Sequence, residues 1–269
     1  MSKNLSDIRE EIDSIDNQVH DLFMRRADLV SSVSAAKKLA GLQIVHPARE
    51  AKLIRRLLDR HSGVLPRSTI VRIWRELISS VSLLQTGLSV VVSSSSYWDI
   101  AKNYFGSETP MSNVSSAENA LDEVRGNGVY FAVMPWTKSG EDAPWWASLV
   151  DENNDLSIVC ALPYGGDISN DSKKALVVSK IDFMSSDNDI SFIGVSLNNN
   201  INRDIIINNA KDAGFEMVNI FSNKSDNMYL LEVKGFVDSS SDKMLALCKY
   251  LDGNFLYCGV IGGYPVITI

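Results

Sequence analysis

The sequence predicts an all-helical first third, then a small α/β layer, then a ferredoxin-like βαββαβ sandwich. Three observations predict it. An apolar period of three and four holds to residue 86, β-branched runs begin after Gly87, and strand and helix signals alternate from there to residue 269. At 45% hydrophobic and 22% charged, with 16 Gly and 7 Pro, the 269 residues have globular composition. Disordered, collagen-like and purely coiled-coil readings are excluded. No apolar run approaches the ~18 residues of a membrane span. Residues 1–7 show no apolar leader, so a cytoplasmic protein without a membrane partner is expected. Cys160, Cys248 and Cys258 are odd in number and form no C-x-x-C or Cys/His cluster. They are expected as reduced thiols, with no disulfide frame, metal or cofactor.

Leu5, Ile8, Ile12, Ile15, Val19, Leu22, Leu29, Val33 and Ala36 step by three and four, broken only at position 26. Asp7, Glu10 and Glu11 suit the positive end of a helix, and Gly41 its stop. The helix runs from about residue 5 to 39, ~50 Å at ~1.5 Å per residue. No segment of about 85 residues covers so long a stripe by itself, so a second chain is expected over it. A second helix starts at Pro47, a good first helical residue, and carries Leu53, Ile54, Leu57 and Leu58. A third starts near Pro66-Arg67-Ser68 and carries Ile70, Ile73, Trp74, Leu77, Ile78, Val81 and Leu84.

The texture changes at Gly87, which sets a first domain at 1–87, a second at 88–185 and a third at 186–269. The second is predicted as strand 90–93, helices 97–105 and 116–125, and strands 129–134, 157–162 and 175–179. The third is predicted as strand 190–197, helix 201–213, strands 215–221 and 228–236, helix 241–251 and strand 254–261. That order is the ferredoxin-like one.

Charge is unevenly placed. Residues 1–87 hold 14 of the 26 Lys and Arg but 10 of the 33 Asp and Glu, a net of +4 in a chain of net −7. A cationic segment in an acidic protein points to an anionic ligand held locally. Nucleic acid is not expected, because no basic run is interleaved with stacking aromatics. Arg26 sits in the apolar seam, and a buried guanidinium needs an anion. Lys37, eleven residues on, returns to within about 20° of Arg26, whereas Arg9 lies ~100° round from it. One helix cannot aim Arg9 and Arg26 at one point; a second copy of the helix can. Gln85 stands on the stripe of Ile78 and Val81, and Arg49-Glu50 opens the second helix behind His46-Pro47. Each has a plain structural reading by itself: an internal ion pair, a helix-end amide, a solvated pair. Together they suit a multiply anionic small molecule and supply no obvious nucleophile.

Residues 5–86 resemble the all-helical (AroQ-type) chorismate mutase family. The matching strings are Ile8-Arg9-Glu10-Glu11-Ile12-Asp13-Ser14-Ile15-Asp16, Arg25-Arg26, Lys37, Arg49-Glu50 and Gln85. The resemblance implies a three-helix chain in an intertwined homodimer, rearranging chorismate to prephenate in phenylalanine and tyrosine biosynthesis. It implies that Arg26 and a partner-supplied Arg9 grip the carboxylates. Lys37 and Gln85 donate to the ether oxygen, Glu50 takes the ring hydroxyl, and Arg49 adds positive potential. His46 stands where an aspartate is common and Val81 where a serine is, so His46 is expected to act through its backbone with a free side chain. Val81 removes a donor.

Residues 88–180 resemble part of a prephenate dehydratase domain at Tyr97–Ser107 and at Val129-Tyr130-Phe131-Ala132-Val133-Met134-Pro135. The family's Pro-Ile-Glu-Asn-Ser run continues here as Trp136-Thr137-Lys138-Ser139, and its Thr-Arg-Phe as Ser172-Lys173-Lys174-Ala175. The resemblance therefore implies a truncated, non-working dehydratase. Residues 189–269 resemble an ACT domain, best at Gly259-Val260-Ile261-Gly262-Gly263-Tyr264-Pro265. Its effector motifs are replaced by Asn198-Asn199-Asn200-Ile201-Asn202-Arg203 and Phe221-Ser222-Asn223-Lys224, implying a structural or dimerising role. Three other functions stay open: a bifunctional mutase/dehydratase, an isochorismate pyruvate lyase on the same fold, and a sensor that binds chorismate without turnover.

Overall fold

A computed structural model describes residues 4–166, 174–199, 201–225, 227–251 and 253–269. Helix α1 (Leu5–Leu39) opens with a capping box. The Asn4 side chain accepts from Asp7 N at 2.9 Å and the Asp7 carboxylate accepts from Asn4 N at 3.3 Å, which satisfies two backbone donors left over at a helix start. Helices α2 (Pro47–Arg60) and α3 (Arg67–Thr86) follow, and α3 stops on left-handed Gly87. Ala51, Ile54 and Leu58 of α2 pack on Val71 of α3 together with Ile267 from the end of the chain. Arg55 fastens the outer face of α2 to that end, donating to the carbonyls of Val266 at 2.9 Å and Asn188 at 3.1 Å and to Ser186 Oγ at 2.9 Å.

Helix α1 has no such cover. Among its described residues only Ser34 is buried, while Leu22 is 62% and Leu29 61% exposed. The stripe anticipated from sequence is therefore present and bare on the single chain.

The remaining residues build one nine-stranded sheet, flanked by α4 (Trp98–Phe105), α5 (Ala117–Arg125), α6 (Arg203–Asp212) and α7 (Asp242–Tyr250). Its strands are β1 (Val90–Val92), β2 (Met111–Asn113), β3 (Phe131–Pro135), β4 (Ser157–Leu162), β5 (Ala175–Ser179), β6 (Asp189–Leu197), β7 (Met217–Ser222), β8 (Met228–Lys234) and β9 (Phe255–Pro265). They lie in the order β2-β1-β3-β5-β4-β9-β6-β8-β7. The last four, β9-β6-β8-β7, pair antiparallel throughout, which is the ferredoxin-like arrangement of a βαββαβ unit. Strand β1 pairs in parallel with β2 and β3, and β5 pairs antiparallel with β3 and β4.

Three features differ from the sequence reading. Edge strand β2, three residues long, is an addition to the predicted strands, and the Trp145–Leu149 segment, expected as loop, forms a 3-10 turn that buries both tryptophans. Strand β9 continues to Pro265 and joins β4 in parallel through Ile158 and Gly262. At Gly262 φ is +120° and a Cβ would come within 2.2 Å of the Ile158 carbonyl oxygen, so only glycine lets the two units share a sheet. Ser172, Lys173 and Asn200, parts of two motifs considered above, lie outside the described residues.

Candidate active site

Helices α1, α2 and α3 enclose a groove of about 520 Å³. From α1 it takes Arg26, Ser34 and Lys37, from the α2 entry and first turns His46, Arg49, Glu50 and Arg56, and from α3 Val81, Ser82 and Gln85. Val30, Val33, Ile44, Leu53 and Ile78 supply apolar wall. Seven of the sequence candidates thus meet: Arg26, Lys37, His46, Arg49, Glu50, Val81 and Gln85. Arg9 does not line the groove; it sits exposed in the bare N-terminal half of α1.

Helix period explains the convergence. Arg26 and Lys37 share a face of α1, and Pro47 starts α2 so that Arg49 and Glu50 fall in its first turn. Gln85 Nε2 donates to the Val30 carbonyl at 3.1 Å, tying the last turn of α3 to the middle of α1. A primary amide has a second N–H to offer a ligand.

The groove is electrostatically positive and partly dry. Burial lowers the Arg26 pKa, opposed by the Glu50 carboxylate. Burial and the charge of Arg49 both lower that of Lys37. Burial lowers that of His46, with Lys37 and Arg49 adding to it and the Gln43 carbonyl and Glu50 opposing. Burial is thus the first cause of all three shifts, and it disfavours the charged form unless an anion is near.

One expectation needs correcting. The His46 ring is not free: its Nε2 lies 2.5 Å from the Gln43 carbonyl oxygen, a partner that makes it the protonated nitrogen. The His46 carbonyl accepts from Glu50 N at 3.0 Å as the first bond of α2.

The sequence reading also passed over Arg75. It lies four residues after Val71 and three before Ile78, on the buried stripe of α3, the same anomaly that singled out Arg26. Its Nη1 donates to Glu50 Oε2 at 2.5 Å. Arg56, seven residues after Arg49 and so on its face of α2, was missed as well. Among the described residues no three His, Cys, Asp or Glu side chains are grouped to hold a metal, and Cys160, Cys248 and Cys258 are free thiols. No described helix is long and apolar enough to cross a membrane.

Residues 8–86 match the family model described as chorismate mutase type II. A bifunctional chorismate mutase/prephenate dehydratase from Aquifex aeolicus is 27% identical over 140 residues, 49% of this chain and 39% of its own length. The T-protein of Haemophilus influenzae is 42% identical over 62 residues, 22% of this chain and 16% of its own. A prephenate dehydratase structure from Streptococcus mutans aligns with 68% of this chain and all of its own at TM-score 0.48 and 10% identity. The matched region thus spans about two fifths of the length of the bifunctional relative. Residues 8–86, the helices that build the groove, thus match the chorismate mutase type II family.

Proposed function

We propose that the protein is a chorismate mutase, an isomerase that folds chorismate into the conformer from which it rearranges to prephenate. The observation that carries this is the gathering of Arg26, Lys37, Arg49, Glu50 and Gln85 around one groove. The rearrangement is intramolecular and pericyclic, so it needs neither a covalent intermediate nor a general base. It needs a flexible dicarboxylate held bent, which is orientation catalysis, and donors aimed at the ether oxygen as the C–O bond breaks. Each such donor in a dry site is worth roughly 3 kcal/mol.

In this reading Arg26 binds a carboxylate, Lys37 and Gln85 donate to the ether oxygen, and Glu50 accepts from the ring hydroxyl. Arg49 adds positive potential. His46 shapes the entry to α2, and Val81 contributes apolar contact where a donor is lost. The second carboxylate takes Arg9 of another copy, because Arg9 stands away from the groove on the helix whose stripe is bare. The working form is then a homodimer with shared sites, acting in the cytoplasm within aromatic amino acid biosynthesis. No metal or organic cofactor takes part in this scheme.

The test is to incubate the full-length protein with chorismate and identify the product over time. Prephenate accumulating is the expected result. Chorismate left intact would remove the mutase reading and make isochorismate the next substrate to offer. Relatives named as bifunctional add dehydration, but Trp136-Thr137-Lys138-Ser139 supplies no acidic group where that motif stands. Phenylpyruvate above the spontaneous background at neutral pH would overturn that part.

A further inference from the structure

We propose that Arg75 is a positioning residue for Glu50, held in place from outside the helical domain by the backbone of α4. The inference deepens the mutase reading and rests on it.

Arg75 is 4% exposed and has four groups on which to anchor besides Glu50, one of them the Tyr164 ring, whose centre lies 5.4 Å from its guanidinium carbon. Its Nε donates to the Tyr104 carbonyl at 2.9 Å, its Nη2 to Ser79 Oγ at 3.3 Å, and its guanidinium carbon lies 3.8 Å from the centre of the Tyr104 ring. Tyr104 is in the last turn of α4, where a helix leaves carbonyls without internal partners and carries its negative end. Ser79 Oγ donates to that same carbonyl at 3.2 Å. A planar, five-donor guanidinium fits this setting as an ammonium would not. One edge is fixed by the helix end and the ring, and Nη1 reaches Glu50 Oε2 at 2.5 Å.

The Glu50 side chain is 14% exposed and lines the groove. With Oε2 taken by Arg75, Oε1 remains to accept from a ligand hydroxyl. Glu50 therefore gains both a compensating charge and a fixed direction from a residue that touches no substrate. A buried ion pair of this kind is weak evidence for stability, but removing one partner strands the other. The α/β region reaches the groove along the same path, since the Tyr104 carbonyl belongs to it and not to the three helices.

The experiment is steady-state kinetics with chorismate on wild type, Arg75→Met, Arg75→Lys, Glu50→Gln and the pairs of Glu50→Gln with each Arg75 variant. Near-UV dichroism and thermal melting confirm that each is folded. Arg75→Met is expected to raise KM ~10–100-fold with a smaller change in kcat, because a misplaced acceptor weakens ground and transition states together. In the Glu50→Gln background the same change is expected within about threefold. Arg75→Lys keeps the charge but spans fewer anchors, so it recovers part of the lost KM. If Arg75→Met does not fold, Arg75→Lys carries the test, with a KM above wild type that disappears in the Glu50→Gln background. A purely structural Arg75 would lower the active fraction, reducing kcat at unchanged KM and multiplying with Glu50→Gln; either result overturns the positioning role alone. A wild type that does not turn over chorismate overturns the mutase reading and the positioning role with it.

Discussion

At the level of single residues, the groove shows how far a charge in the wrong place can be read. Arg26 and Gln85 were legible because each interrupts an apolar helical stripe, and Lys37 because eleven residues return it to the face of Arg26. Arg75 interrupts the stripe of α3 in the same way, but its partners Glu50 and Tyr104 lie 25 and 29 residues away, and their meeting is a tertiary fact. Two predictions belong here. Lys37→Ala is expected to cost roughly a thousandfold or more in turnover with the fold intact, since an ether-oxygen donor acts mainly in the transition state; near-normal activity would remove that role. Lys37 must be protonated to bring a positive charge to the ether oxygen, and burial and Arg49 both lower its pKa. Activity should therefore fall on the alkaline side before the ordinary lysine value of ~10.4. Arg49→Gln should move that limb to higher pH, because it removes a repulsion that favours deprotonation; a limb that stays put assigns the titration elsewhere.

Among the elements, α1 carries the largest unsettled account. Its start was legible in acidic first-turn residues and its end in Gly41, whereas three-residue β2 has too few side chains to show an alternation. A helix with Leu22 and Leu29 more than half exposed is expected to be covered by another copy. Leu22→Glu should then yield a monomer by light scattering and lose most activity, although it disturbs nothing buried in one chain; a dimer of full activity would contradict the shared-site assembly. A mixing experiment is sharper. Copies carrying Arg9→Ala and Arg26→Ala are each inactive in the proposed scheme, yet a heterodimer has one intact site of two. Equal mixing with free exchange should restore about a quarter of wild-type activity. No recovery after exchange would place both arginines of a site on one chain.

For the molecule as a whole, the sequence showed two α/β units in the right order but not their fusion into one sheet. Gly262-Gly263 looked like the end of a strand because glycine usually interrupts one. Here Gly262 is the point at which β9 can approach β4, and its missing side chain makes the seam. Gly262→Ala combines a positive φ with a contact that backbone must yield to, so a loss of about 3 kcal/mol in urea unfolding is expected. A loss below ~1 kcal/mol would mean that the β4–β9 pairing contributes little.

The end of the chain has a consequence for biosynthesis. Ile267 belongs to the same apolar cluster as Ala51, Ile54, Leu58 and Val71, and Arg55 grips the Val266 carbonyl. The helices emerge from the ribosome before the sheet, yet Ile267 of their core follows Thr86 by roughly 180 residues, or roughly 10–40 s at ordinary rates of translation. During that interval α2 and α3 expose the surface that Ile267 will cover, so the helical core is completed only after the sheet has been made.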